Sequence, residues 1–229
     1  MKHKRHIRSY VLRSTKLTKN KSDKLEDLKQ YYCLEYKDNE IDLHTLFEVR
    51  QPVICDIGFG SGKSLLEQAL RNPNFNFLGI EVYTPGILNV LSQVDQCGIK
   101  NIKIIQHDAV EVLANMIPAS SLCKVQLLYP DPWPKKRHHK RRIISQNFLS
   151  CIGKTLGQEG ILQVVTDWDN YAENIISDIS SNNAFKAIDI NGSYQEKISW
   201  PDIFTTSYAL KAKEKGHNIS NLVYQLSSN

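Results

Sequence analysis

From residue 52 onward, short apolar runs alternate with longer segments in which apolar residues recur at helical spacing. Strands that alternate with amphipathic helices are typical of βαβ units, in which the strands pair in parallel. The pattern therefore predicts a doubly wound, mostly parallel seven-stranded sheet with helices on both faces. The predicted strands are 53–57, 75–82, 102–106, 125–129 and 161–166, followed by closing strands 185–190 and 222–226. The predicted helices are 62–70, 85–97, 109–116, 142–156, 171–180 and 206–215.

Residues 1–45 differ from the rest because they are polar and basic. Nine lysines and arginines stand among the first 24 residues, opposed only by Asp23. We predict a basic N-terminal arm over 1–45, with a weak helical pattern at 24–36, followed by one domain over 46–229. An arm that is disordered and only keeps the chain in solution stays open as the alternative.

The cysteines and the apolar runs bear on compartment and on metals. The five cysteines are odd in number and none is in CxxC spacing, which argues against a disulfide framework and against a zinc site. No run is long enough to span a membrane, and the N-terminus lacks the apolar core of a secretory signal. We therefore expect a cytoplasmic protein without a metal centre.

Residues 125–142 join a buried strand to a dense basic segment. Three prolines after the strand keep the chain extended, which places Asp131 and Trp133 at the carboxyl edge of the sheet. Ligands of open α/β sheets bind at that edge. Lys135 to Arg142 then supply six basic side chains and two histidines within eight residues. This favours a site for a planar base attached to phosphates, with a merely solvated loop as the alternative.

The glycine-rich turn from Asp56 to Lys63 lies between a predicted strand and a predicted helix, where backbone N–H groups face a ligand. A P-loop would need glycine at position 57 and a dinucleotide fingerprint would need it at 63, where the chain has Ile57 and Lys63. Asp56 then indicates the ligand, because a carboxylate repels a pyrophosphate and attracts a cation. S-adenosylmethionine carries an ammonium and a sulfonium and no phosphate, so it suits this turn.

Two more acids follow the next strands. Glu81 ends the second strand, 19 residues after Gly62, where it can accept the hydroxyls of a ribose. Asp108 follows the third strand, where it can bind the adenine amino group or simply cap the next helix. Three acids at consecutive strand ends, together with the turn, predict a site for adenosylmethionine.

These residues resemble the bacterial tRNA (guanine-N7)-methyltransferases. The likeness rests on the glycine turn, on 79–82, on 107–113 and above all on Pro130-Asp-Pro-Trp-Pro with the basic residues after it; it begins at 8–11 and reaches 206–208 and Gly216. The resemblance implies a Rossmann-like class I methyltransferase domain over 46–229. It also implies transfer of a methyl group from S-adenosyl-L-methionine to N7 of guanosine 46 in the variable loop of tRNA.

The resemblance further implies roles for single positions. The cofactor-binding residues are Asp56, Glu81, Asp108 and Asp131, to which the glycine turn adds Gly58 and Gly60, and Asp131 is also the catalytic candidate. The substrate-binding residues are Lys135, Asp167, Thr206, Ser207, Tyr208 and Ala209. The RNA-binding residues are Arg137, His138, His139, Lys140, Arg141 and Arg142.

Two positions depart from the family pattern. Asp56 stands where glutamate is usual and is shorter by one methylene. Ala209 stands where the Thr-x-x-Glu element of the family has its glutamate, which removes an acceptor for the cofactor or the guanine. A non-catalytic tRNA-binding module on a methyltransferase fold therefore stays open as the alternative. The sequence also leaves the oligomeric state open between monomer and homodimer.

The chemistry needs little from the protein beyond alignment. Guanine N7 has an in-plane lone pair and no proton, so no general base is required. A fixed carboxylate near the purine favours the positive charge that develops on it, and Asp131 is the candidate. Asp167 is a second acceptor candidate or an N-cap. Trp133 and Tyr208 are candidates to stack on the displaced guanosine, and Trp133 could equally plug the proline loop.

Overall fold

A computed structural model describes residues 8–11, 16–188, 200, 203 and 206–227. Within these residues the chain forms one sheet of eight strands. The strands are β1 (Cys33–Leu34), β2 (Val53–Ile57), β3 (Asn76–Ile80), β4 (Ile102–Ile105), β5 (Leu122–Leu128), β6 (Leu156–Thr166), β7 (Phe185–Ala187) and β8 (Ser220–Leu226). The prediction of an α/β, mostly parallel sheet is confirmed.

The strand order, β1-β4-β3-β2-β5-β6-β8-β7, fixes where a ligand can bind. The strands from β1 to β6 pair in parallel, and β8 inserts antiparallel between β6 and β7. The chain runs outward from β2 to β4 and then returns, so that β5 pairs with β2 on its other side. The carboxyl ends of β2 and β5 therefore flank a topological switch point, where open α/β sheets form a crevice.

The helices begin and end at the signals that the sequence carries. They are α1 (Lys19–Tyr32), α2 (Lys63–Arg71), α3 (Thr84–Cys97), α4 (Ala109–Asn115), α5 (Gln146–Thr155), α6 (Asp169–Ser180) and α7 (Ser207–Glu214), with a 3-10 helix at Lys136–Arg141. Pro85 opens α3 and Gly98, with φ of 62°, closes it. Ser145 caps α5 by accepting from the backbone N–H of Phe148.

Two apolar layers cover the two faces of the sheet. Leu25 and Leu28 of α1 pack with α2 and α3 against one face, around Ile54 and Ile104. The helices α4, α5 and α6 cover the other face, where Phe148 contributes to the core. Helices on both faces are the doubly wound arrangement that the alternating pattern predicts.

Several boundaries differ from the prediction. Residues 33–34, expected within a weak helix, form the edge strand β1 because they pair with Ile104 and Ile105; the sheet thus has eight described strands instead of seven. The helix expected from 142 begins at Gln146, after the 3-10 helix, and Leu156 belongs to β6. The predicted strand 185–190 is seen as Phe185–Ala187, and 189–190 lie outside the described residues.

The predicted arm is described at 8–11 and from residue 16 onward. Its helix α1 packs on the core, Leu43 is buried, and β1 joins the sheet. The division into an arm over 1–45 and a domain over 46–229 stays a prediction. None of the helices in the described ranges is long and apolar enough to cross a membrane.

Candidate active site

A cavity of about 370 Å³ lies at the carboxyl ends of β2, β3 and β5, at the switch point. The glycine turn and the ends of β3 and β5 form its floor, and Ser207 and Tyr208 of α7 lie on its rim. Two carboxylates, Glu81 and Asp131, line it, and its described lining contains no lysine or arginine. A cavity of this charge suits a cationic ligand better than a phosphate.

The glycine turn, residues 58–62, is held in place from two sides. The backbone N–H of Gly58 donates to the carbonyl of Ile80, 2.8 Å away. Gly60 adopts φ of 58°, a left-handed conformation that glycine tolerates best. A Cβ on Gly86, near the start of α3, would lie 1.8 Å from the Gly60 carbonyl oxygen. Gly86 therefore lets α3 abut the turn, a role that depends on a contact invisible in the local sequence.

Three backbone N–H groups hold the carboxylate of Glu81, and one of them belongs to the glycine turn. Its Oε2 accepts from Gly60 at 2.7 Å, and its Oε1 accepts from Val82 at 2.6 Å and from Tyr83 at 2.9 Å. A carboxylate has about four acceptor positions, so one is left for a ligand hydroxyl. The residue predicted to bind ribose is thus also the residue that shapes the turn.

Asp56 lies beneath the turn and is 1% exposed. It lines a smaller cavity of about 40 Å³ together with Lys63 and Ser207. Neither oxygen of Asp56 has a hydrogen-bond partner among the described residues. Burial raises the pKa of this carboxyl to about 7, and the neighbouring Gln126 and Lys124 oppose the shift only in part. A buried carboxyl of this kind favours a positively charged ligand nearby, since a cation restores its ordinary ionisation.

Asp108 occupies the cap position of α4. Its Oδ1 accepts from the backbone N–H of Val110 at 2.9 Å, and the residue is 6% exposed. The capping role that the sequence left open is therefore present. Its neighbours His107 and Ala109 line the large cavity, so binding of adenine beside Asp108 stays a prediction.

Asp131 is exposed and lies at the open edge of the large cavity. The preceding Tyr129 turns the chain with φ of 57°. Its hydroxyl donates to the carbonyl of Ile203 at 2.8 Å, and its ring stacks on Tyr208 with centroids 6.0 Å apart. Sequence reasoning missed Tyr129, which holds α7 beside the cavity.

Trp133, also with positive φ of 44°, is half-buried and not free for stacking on both faces. Its Nε1–H donates to the carbonyl of Ser9 at 3.0 Å. The guanidinium of Arg141 lies 4.5 Å from its ring centroid, and His138 meets the ring edge-on. The structure therefore shows Trp133 in contact with the N-terminal segment.

The 3-10 helix presents most of its basic side chains to solvent. Lys135, Arg137 and Lys140 are exposed, and His138, His139 and Arg141 are half-buried. Arg142 differs, because it is 8% exposed.

The guanidinium of Arg142 points inward. It donates to the carbonyl of Pro132 at 2.9 Å, to Asn170 at 3.0 Å and to Asn174, and it stacks over Tyr171. These contacts tie the proline loop to α6, so the structure does not present Arg142 to RNA as the resemblance implies.

Asp167 follows β6 and does not cap α6, whose cap position is Trp168. Its Oδ2 lies 3.4 Å from Nδ1 of His217, a partner that sequence reasoning did not identify. The Asp167 side chain is 27% exposed and is not part of the large cavity's lining.

The side chains of residues 206–209 point in different directions. The hydroxyl of Thr206 caps α7 by accepting from Ala209 N–H at 3.0 Å, and Ser207 and Tyr208 line the cavity. Ala209 is 3% exposed and packs with Tyr129 and Val165. A glutamate at 209 would enter this apolar cluster, so alanine suits the position as it is built here.

No group of three or more His, Cys, Asp or Glu side chains in the described ranges could hold a metal ion. S-adenosylmethionine fits the donor set, since two carboxylates line the cavity and no lysine or arginine of the described lining competes with its positive charge. The doubly wound sheet with its antiparallel β8, the glycine turn and these acids define a class I S-adenosylmethionine-dependent methyltransferase.

Comparisons with known proteins support the methyltransferase fold and identify the family. The crystal structures of the 16S rRNA methyltransferase KamB and of the aminoglycoside resistance methyltransferase NpmB1 share the fold, with TM-scores of 0.55 and 0.52 at 14% identity. The alignments cover 95% and 96% of this chain and 97% and 98% of those chains. A family described as "Putative methyltransferase" matches residues 50–222.

Curated relatives give the particular family. The tRNA (guanine-N(7)-)-methyltransferase of Aeromonas hydrophila is 38% identical over 96% of this chain and 92% of its own length. That of Pseudoalteromonas translucida is 40% identical over 98% of this chain and 91% of its own. The chain belongs to the family of tRNA (guanine-N7)-methyltransferases.

Proposed function

We propose that this enzyme transfers the methyl group of S-adenosyl-L-methionine to N7 of guanosine 46 in the variable loop of tRNA. The observation that carries the proposal is the large cavity, which Glu81 and Asp131 line and which lies at the switch point of a methyltransferase fold. The names of the relatives specify the tRNA and the guanine nitrogen. The exposed basic 3-10 helix follows Asp131 closely in the chain and offers a surface for the phosphates of RNA.

The cofactor supplies, when bound, a methyl group on a sulfonium with a neutral leaving group. We assign its binding to Asp56, Gly58, Gly60, Glu81 and Asp108, with Asp131 at the edge. The open side of the turn supports this assignment, because a Cβ on Gly58 or Gly60 would meet no atom within 4 Å. Glu81 offers its remaining acceptor position to a ribose hydroxyl, and the buried charge of Asp56 favours the ammonium.

Asp131 is the proposed catalytic residue. It lines the cavity and is exposed, which supports entry of the guanine beside it. Its carboxylate favours the positive charge that N7 acquires and can accept from the N–H groups of the guanine edge. No group needs to remove a proton from N7, so the main task of the site is to align the purine with the methyl group.

The tRNA side of the site combines a recognition rim with a phosphate-binding surface. We assign guanosine recognition to Lys135, Asp167 and the 206–209 segment, of which Ser207 and Tyr208 reach the cavity. His217 orients Asp167 through their 3.4 Å contact. We assign phosphate binding to the exposed part of the 3-10 helix, residues 136–141.

Methylation of unmodified tRNA with a labelled donor, followed by mapping of the methylated nucleoside, tests the proposal. We expect 7-methylguanosine at position 46, and a label on another atom or position would contradict it. Asp131→Asn should lose at least about a hundredfold in kcat and still bind tRNA and S-adenosylhomocysteine, because only charge is removed. A non-catalytic tRNA-binding module would instead bind tRNA, and calorimetry would detect no binding of S-adenosylhomocysteine.

The phosphate-binding surface has a matched control. Lys136→Gln with Lys140→Gln should flatten the dependence of log Kd on log salt by about 0.7–0.9 for each phosphate that the variant no longer neutralises. Lys100→Gln with Lys154→Gln removes the same charge ahead of β4 and β6, at the amino ends of the strands and opposite the cavity. That control should leave the slope unchanged, and equal slopes in the two variants would place the RNA elsewhere.

We further propose that the enzyme acts in the cytoplasm, without a membrane or metal partner. Activity should therefore survive dialysis against EDTA. Sedimentation at two protein concentrations decides between monomer and homodimer.

A further inference from the structure

The N-terminal residues 9–11 form one wall of the large cavity, although they are far in the chain from every strand that builds its floor. Tyr10 lines the cavity together with His107 and Ala109, the neighbours of Asp108, and burial, with a smaller effect of the Asp108 charge, raises the pKa of its hydroxyl. The wall therefore belongs to the cofactor end of the cavity. The position of residues 9–11 depends on the contacts that hold this short segment against the rest of the protein.

The fastening contact comes from Trp133. Its indole N–H donates to the main-chain carbonyl of Ser9 at 3.0 Å, across 124 residues of sequence. Because the acceptor is a backbone atom, side-chain changes at position 9 leave the contact possible, whereas the donor is unique to tryptophan.

The surroundings of Trp133 keep its ring in one orientation. Pro132 and Pro134 flank it and restrict the backbone on both sides. Arg141 covers one face of the ring at 4.5 Å from the centroid, and His138 meets it at an interplanar angle of 89°. A ring held in this way, with one face covered, is poorly placed to stack on a displaced guanosine.

We propose that Trp133 is a positioning residue that fastens residues 9–11 as a wall of the cofactor cavity, and that it is not the stacking platform for guanosine. The inference rests on the proposed function only in taking the cofactor as the ligand of this cavity. Because Arg141 of the basic 3-10 helix packs on the same indole, the wall and the proposed RNA surface share one support.

Trp133→Phe separates the two roles, since phenylalanine keeps a ring and lacks the N–H donor. Hydrogen exchange of the peptide spanning 8–11 should become faster in this variant, and Kd for S-adenosylhomocysteine should rise about three- to tenfold. KM for tRNA should not change. Trp168→Phe is the matched control, because Trp168 contacts His217 on another loop. It should leave hydrogen exchange at 8–11 and Kd for S-adenosylhomocysteine as in the wild type.

A double-mutant cycle with Tyr10→Ala tests whether both side chains act through the same wall. If they do, the double variant should bind S-adenosylhomocysteine no more weakly than the weaker single variant. Independent, multiplying effects would overturn the proposal. So would unchanged exchange at 8–11 in Trp133→Phe, or a raised KM for tRNA with unchanged cofactor affinity.

These readouts separate the wall from the reaction. Wild-type protein that fails to bind S-adenosylhomocysteine would refute the proposed function, while hydrogen exchange would still decide whether Trp133 fastens residues 8–11. Melting temperatures of each variant within about 3 °C of the wild type exclude unfolding as the cause of any change.

Discussion

Replacing Asp56 by asparagine should stabilise the ligand-free protein by an amount that grows with pH. Asp56 is 1% exposed and has no hydrogen-bond partner for either oxygen among the described residues. Burial raises the pKa of its carboxyl from 3.8 to about 7, in spite of the opposing dipole of Gln126 and charge of Lys124. Asparagine has the same shape and cannot ionise, so it keeps the packing and removes the cost of a buried charge.

The sign and the size follow from proton linkage. The folded protein holds the Asp56 proton more tightly than the unfolded chain, so stability falls as the pH rises from about 4 to about 7. Each pKa unit corresponds to about 1.4 kcal/mol. Asparagine should therefore add about 2 kcal/mol near pH 5 and about 4 kcal/mol near pH 8. Burial lowers the pKa of Lys124 to about 7 and Asp56 opposes that shift, so asparagine also removes a favourable charge interaction with Lys124 and these gains are upper limits.

Urea unfolding of the two proteins between about pH 5 and pH 8 measures the difference. Asp108→Asn is the matched control, because Asp108 caps α4 and asparagine caps about as well. The control should stay within about 0.5 kcal/mol of the wild type at each pH. An Asp56→Asn variant that is no more stable than the wild type near pH 8, or whose advantage is independent of pH, would refute the reasoning.

Stability gained at position 56 should come at the expense of binding. A carboxylate favours the ammonium of the cofactor, whereas a neutral amide does not. Calorimetry should show about tenfold weaker binding of S-adenosylhomocysteine to Asp56→Asn. The same side chain would then weaken the fold and strengthen the site, as is common for buried polar groups in binding sites.

Three other substitutions probe the frame of the site. Gly86→Ala should lower the melting temperature and weaken binding of S-adenosylhomocysteine, because its Cβ would strike the glycine turn at 1.8 Å; Gly153→Ala, with no neighbour nearer than 3.8 Å, should be neutral or stabilising. Arg142→Ala should cost about 1–3 kcal/mol in urea unfolding by removing the hydrogen bonds to Pro132 and Asn170 and the packing on Tyr171, whereas Arg141→Ala should cost under about 1 kcal/mol. Glu81→Gln should weaken ligand binding and lower stability by about 1–3 kcal/mol, because an amide cannot accept all three N–H groups.

Each of these has a contrary outcome. A Gly86→Ala variant that behaves like Gly153→Ala would mean that α3 does not abut the turn. Equal losses of stability at positions 141 and 142 would contradict the inward orientation of Arg142. Full cofactor affinity in Glu81→Gln would remove Glu81 from the frame of the site.

Much of the architecture could be predicted because the signals are local. Apolar runs gave the central strands, and the turn at 58–62 could be located between a strand and a helix. Pro85 and Gly98 bounded α3 within one residue, since proline suits a first turn and glycine suits the left-handed residue that ends a helix. The edge strand β1 was missed because two residues carry no periodicity, and only pairing with β4 makes them a strand.

The candidate site also has a part that the sequence predicted and a part that it did not. Acids at consecutive strand ends predicted a cationic ligand, because the carboxyl ends of parallel strands meet at one edge of a sheet. The side-chain directions within the basic segment could not be predicted, since neighbouring arginines look alike in sequence. Arg141 lies on Trp133, whereas Arg142 points toward α6, where Asn170 and Asn174 accept its hydrogen bonds.

The sequence by itself determined the order of strands and helices, the glycine turn and the chemical type of the site, because each depends on residues close together in the chain. The tertiary structure alone decided that Trp133 bonds to Ser9, that His217 faces Asp167 and that Ala209 is buried. The physical reason is that these contacts join segments distant in sequence. Whether a side chain there meets solvent, a ligand or the core depends on how the whole chain packs.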